Sequence, residues 1–77
     1  METIGERFRQ LRGEMTQPEF ADLIGSTKQN ISKYEKNIMM PGGDVLIRLS
    51  QRLNVNLNWL LMGCGKPYFK ISEKIHA

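Results

Sequence analysis

Residues 17–35 read QPEFADLIGSTKQNISKYE, two apolar-patterned segments with only Gly25-Ser26 between them. The first opens on a reciprocal cap. The Thr16 hydroxyl can accept from the first turn while the Glu19 carboxylate reaches back, and Pro18 falls where a missing N–H costs nothing. Phe20, Leu23 and Ile24 then form an apolar stripe, Ala21 supplies a small contact, and Gly25 stops the helix. Thr27 caps the next segment, which turns Ile31 and Tyr34 inward. Two helices of about eight residues joined by so short a turn cannot pack antiparallel, so they cross steeply. Such a crossing needs a small side chain at the contact and a turn residue that tolerates positive φ, and Ala21 and Gly25 answer both needs.

Anchoring the second segment by Ile31 and Tyr34 leaves Lys28, Gln29, Ser32 and Lys33 facing outward, a set without an acid. Glutamine can pair with adenine N6 and N7, and lysine can donate to guanine O6 and N7 or to phosphate. The helix starts at Gln17 and Thr27 also present unpaired N–H groups and the positive end of a helix dipole to phosphates. Lys28, Lys33 and Lys36 fall close together, a charge pattern suited to a polyanion.

Outside this stretch the chain continues to read as helix. Thr3 and Glu6 form a second capping box ahead of Ile4, Phe8 and Leu11, with Arg7, Arg9, Gln10 and Arg12 on other faces and Gly13 at the end. Residues 37–43 read as a loop broken by Pro41 and Gly42-Gly43, in which Met39 and Met40 serve as packing gap fillers. Val45, Leu46, Leu49 and Leu53 mark a fourth helix closed by Asn54, and Asn56 caps a short fifth, Leu57 to Met62, closed by Gly63. No β-hairpin signal or internal repeat is present. The expected architecture is all-α with five helices, a domain over residues 1–66 and a tail or linker over 67–77.

Composition sets the outer limits. A chain of 77 residues is one domain, and 40% hydrophobic with 25% charged residues is the balance of a folded protein with a net charge of +3. Cys64 is the only cysteine and His76 the only histidine, so neither an internal disulfide nor a Cys/His metal site is available, and no cofactor is expected. The N-terminus lacks a signal-type apolar region and the apolar run around Trp59 to Met62 is too short to span a bilayer, which points to the cytoplasm. Cys64 lies between two glycines with only Lys66 near, and Ser32 and Tyr34 have no general base within reach by sequence, so no catalytic site is expected.

Residues 17–35 resemble the helix-turn-helix of the lambda-repressor-like Cro/repressor family, also called XRE. Thr16-Gln17, Ala21, Gly25, Thr27, Ile31, Ser32 and Glu35 fall at that family's positions. Asn58-Trp59-Leu60-Leu61-Met62-Gly63 is similar to its fifth-helix signature, and the likeness runs over residues 4–63. The resemblance implies a five-helix lambda-repressor-like domain that binds duplex DNA, acting as a transcription regulator of the repressor type on a palindromic operator. It implies base-edge contacts from Lys28, Gln29 and Lys33 with Ser32 beside them, and backbone contacts from Gln17 and Thr27, flanked by Asn30, Lys36 and Asn37. It further implies a buried pair between Arg12 and Glu35, and a homodimer interface at Leu57 and Trp59. Ser26 departs from the family, standing where an apolar turn residue is common. The competing expectation is a protein-interaction module, such as an antitoxin or regulatory adaptor, docking through Tyr68, Phe69, Ile71 and Ile75 of the tail. Neither reading involves a membrane or a small-molecule ligand.

Overall fold

The computed structural model describes residues 2–70. Within them the chain forms α1 (Ile4–Arg12), α2 (Gln17–Ile24), α3 (Lys28–Glu35), α4 (Gly43–Leu53) and α5 (Leu57–Met62). Both expected capping boxes are present: Thr3 and Glu6 bond each other's backbone at the start of α1, as do Thr16 and Glu19 at the start of α2. Asn56 caps α5 by accepting from the Asn58 N–H.

The core follows from the apolar stripes. α1 packs on α3 and α5, while α2 packs on α3 and α4. Phe8 is wholly buried at the junction. Its ring meets Phe20 of α2 edge-on at 5.5 Å and Tyr34 of α3 at 5.2 Å, so one side chain ties three helices together. Ile24, Ile31, Leu49, Val55 and Leu60 complete the dry centre, with Ile4, Leu23, Leu46, Leu53 and Leu57 packed around it.

Two residues that helical periodicity assigns no special place turn out to fix how α1 sits. Gly5 lies where the first turn of α1 presses on the end of α3, and a Cβ there would stand 2.5 Å from the Glu35 carbonyl oxygen and 2.7 Å from that of Tyr34. Its N–H donates to Asn37 Oδ1 at 2.8 Å, and Asn37 Nδ2 donates to Thr3 Oγ1 at 3.0 Å. Arg7, off the Ile4–Phe8–Leu11 stripe, is nevertheless buried. Its Nε donates to the Leu60 carbonyl at 2.8 Å and its Nη1 to the Glu2 carbonyl at 2.9 Å, using the guanidinium to satisfy the end of α5.

Three expectations are corrected. Helix α4 starts at Gly43, inside the stretch read as loop, because Gly42 takes the extended N-cap conformation and Asp44 favours the positive end of the helix. Met39 and Met40 do not fill gaps; both are exposed. The body of the protein also reaches past Lys66, since Asn56 donates to the Pro67 carbonyl at 2.8 Å and Phe69 donates to the Asn54 carbonyl at 2.9 Å. This antiparallel bridge between Val55 and Tyr68 ties residues 67–69 to the α4–α5 link. Ile71 and Ile75 of the expected docking tail lie outside the described residues.

Candidate nucleic-acid interface

The joint between α2 and α3 is made by Gly25 in the left-handed conformation, with φ 64° and ψ 43°. The following Ser26 N–H returns to the Ala21 carbonyl at 2.8 Å. Two arginines of α4 hold this corner from behind: Arg48 donates to the Gly25 carbonyl at 3.2 Å and Arg52 to the Leu23 carbonyl at 2.9 Å. Both place positive charge at the negative end of α2, where it is favoured. The Thr27 hydroxyl then accepts from the Asn30 N–H at 3.1 Å and starts α3. With Ile31 and Tyr34 buried, one side of α3 is committed to the core and the opposite side is set outward.

On that outward side Lys28, Gln29 and Lys33 are exposed and Ser32 is half-buried. Together with Gln17, Lys36 and Ile38 they line one open groove of about 420 Å³. Every charged group along it is a lysine. The one acid of α3, Glu35, is turned away and occupied. Arg12 Nε donates to Glu35 Oε2 at 2.7 Å and its second terminal nitrogen donates to Oε1 at 3.1 Å, a two-point contact that leaves both side chains largely buried. The hydrogen bond to Glu35 raises the Arg12 guanidinium above its ordinary value, burial opposes this, and the Glu35 charge adds to it. Glu35 Oε1 also accepts from Gln17 Nε2 at 3.3 Å, so the pair at the root of α3 steadies a groove residue from α2.

Not every expected contact residue converges on this groove. Thr27 is exposed at the head of α3 with its hydroxyl engaged in the cap. Asn30 faces a different recess, shared with Ser26, Met39, Asp44 and Val45. The Asn37 amide is engaged by Gly5 and Thr3, and its backbone is left-handed with φ 61°. On α5, Leu57 is half-buried and Trp59 buried, while the neighbouring Met62 is exposed. Sequence reasoning missed Ile38, which lies beyond the last turn of α3 where helical periodicity carries no information. It also missed Arg48 and Arg52, whose four-residue spacing on the polar side of α4 is the signal that places both against α2.

Among the described residues no group of three His, Cys, Asp or Glu side chains is placed to hold a metal ion, and no helix is long and apolar enough to cross a membrane.

No curated protein sequence matches the chain. A solved structure of the P22 c2 repressor protein in complex with synthetic operator 9T in the presence of Tl+ is similar in fold and sequence. Its TM-score is 0.75 and its identity 29%, over 83% of this chain and 100% of that one. The helix-turn-helix family profile matches residues 6–60, a span from the first turn of α1 into α5 that includes the whole α2–α3 corner. By that match and that likeness, this chain belongs to the helix-turn-helix family, in its lambda-repressor-like Cro/repressor (XRE) branch.

Proposed function

We propose that this chain is a sequence-specific, duplex-DNA-binding transcription regulator of the phage repressor type, acting in the cytoplasm as a homodimer on a palindromic operator. The observation that carries the reading is the groove along the outer side of α3, where Lys28, Lys33 and Lys36 converge with Gln29 and Ser32 and where the helix's acid has been withdrawn. A solvated helix face has no need of such sorting; a surface that approaches phosphates does.

Lys28, Gln29, Ser32 and Lys33 are assigned to base edges, and Gln17, Thr27 and Lys36 to the DNA backbone. One helix of this length reaches few bases, so two copies related by a twofold axis would read half-sites about 34 Å apart. Of the two α5 side chains assigned to such an interface, Leu57 is half-buried and therefore partly accessible, whereas Trp59 is buried in the core. The role assigned is a binding one.

Selection of bound sequences from random duplexes, followed by titration of the recovered sequence at several salt concentrations, tests the reading. A palindromic consensus is expected, with affinity falling steeply as salt rises. Lys33→Ala should cost about 1–3 kcal/mol and relax the preference at one base position. Failure to bind any duplex at low salt, or equal affinity for all duplexes, would overturn it.

A further inference from the structure

Ile38 stands with 69% of its surface exposed, and it lines the same groove as Gln17, Lys28, Gln29, Ser32, Lys33 and Lys36. An isoleucine left in water beside lysines forgoes the burial that β-branched aliphatic side chains ordinarily find. Its position is not that of a loose loop tip. The Ile38 N–H donates to the Lys33 carbonyl at 2.9 Å and the Met39 N–H to the same oxygen at 3.4 Å. The preceding Asn37 is fastened to α1 through Gly5 and Thr3. The left-handed backbone of Asn37 turns the chain sharply just before Ile38. An apolar side chain is thus held at a fixed place on the rim of a cationic groove.

We propose that Ile38 is a DNA-contacting side chain that packs on the carbon surface of a nucleotide at the edge of the bound site, either a thymine 5-methyl group, where it would also determine specificity, or a deoxyribose. The inference rests on the DNA-binding reading above. The lysines draw the duplex in through its phosphates, and an apolar contact beside them adds what charge cannot supply, a contribution to affinity insensitive to salt. Thymine alone among the bases offers a methyl group in the major groove, and apolar side chains are its natural partners.

The test uses the full chain and the duplex recovered by selection, together with the same duplex carrying deoxyuridine in place of each thymine in turn. Ile38→Ala should weaken binding to the selected duplex about five- to tenfold, the value expected for losing a few tens of Å² of apolar contact, while the salt slope stays that of the parent. If the contact is a thymine methyl, one deoxyuridine substitution weakens the parent by a similar factor and leaves Ile38→Ala unaffected. If it is a deoxyribose, Ile38→Ala weakens binding equally on every duplex in the series. Binding of Ile38→Ala within twofold of the parent, while Lys33→Ala loses affinity, overturns the role of Ile38 and leaves DNA binding standing. Absence of duplex binding by the parent removes both. Thermal unfolding of Ile38→Ala, expected to match the parent because the side chain is exposed, separates lost contact from lost fold.

Discussion

Arg12 of α1 and Glu35 at the end of α3 meet through two hydrogen bonds, at 2.7 and 3.1 Å, with side chains only 15% and 10% exposed. The pair joins α1 to α3 through residues 23 positions apart in sequence and removes a negative charge from the neighbourhood of the lysine groove. Removing one partner leaves the other buried and alone, which is the damaging case; replacing both by apolar residues of like size is far milder. Glu35→Ala should therefore lower stability by about 3 kcal/mol, and Arg12→Met combined with Glu35→Leu should recover most of that loss. Denaturant unfolding of the two single variants and the double variant measures it.

The carboxylate of Glu19 is held below its ordinary value, first by the Thr16 backbone N–H and next by the Thr16 hydroxyl, with slight burial opposing. A carboxylate depressed in the folded state contributes stability that is present above its unfolded value and fades as the pH falls through the folded one. Thermal unfolding of Glu19→Gln and the parent should accordingly differ at neutral pH and converge in the acid range. A difference that persists unchanged into acid would show that the carboxylate's charge is not what holds the α2 cap.

Gly5→Ala puts a methyl group against two main-chain carbonyls of α3, which must shift to admit it. Destabilisation of about 1–3 kcal/mol is expected. Because the displaced atoms belong to α3, the DNA affinity of the variant should fall as well at temperatures where it is still folded. Circular dichroism melts beside duplex titrations check both.

The Ser26 hydroxyl oxygen is buried without a hydrogen-bond partner among the described residues. An unmet buried hydroxyl is destabilising, so Ser26→Ala should stabilise by about 1 kcal/mol. For a chain of this size that is a rise in Tm of about 4–8 °C. Differential scanning calorimetry reads the shift directly, and a fall would place an unseen partner on that oxygen.

Much of the fold was legible because its signals are local. Thr3 with Glu6, Thr16 with Glu19, Thr27 and Asn56 announce four helix starts by chemistry confined to one turn, and Gly25, Asn54 and Gly63 close helices with left-handed backbones. The outward set of α3 was legible for the same reason: Ile31 and Tyr34 define its opposite face. What escaped depends on contacts between segments distant in sequence. Gly5 matters only because α3 lies above it, Arg7 is buried only because α5 ends beside it, and Pro67 to Phe69 join the body only through the Asn54–Asn56 backbone. Ile38 carries no periodic mark, and its place on the groove is decided by the Asn37 clamp.

That clamp separates frame from lettering. Gly5, Asn37, Arg12 and Glu35 hold α3 in place, while the side chains of Lys28, Gln29 and Lys33 form no hydrogen bond or ion pair with any described residue. The three can be exchanged in combination without asking any neighbour to repack, so libraries randomised at those positions should stay folded while their duplex preferences diverge.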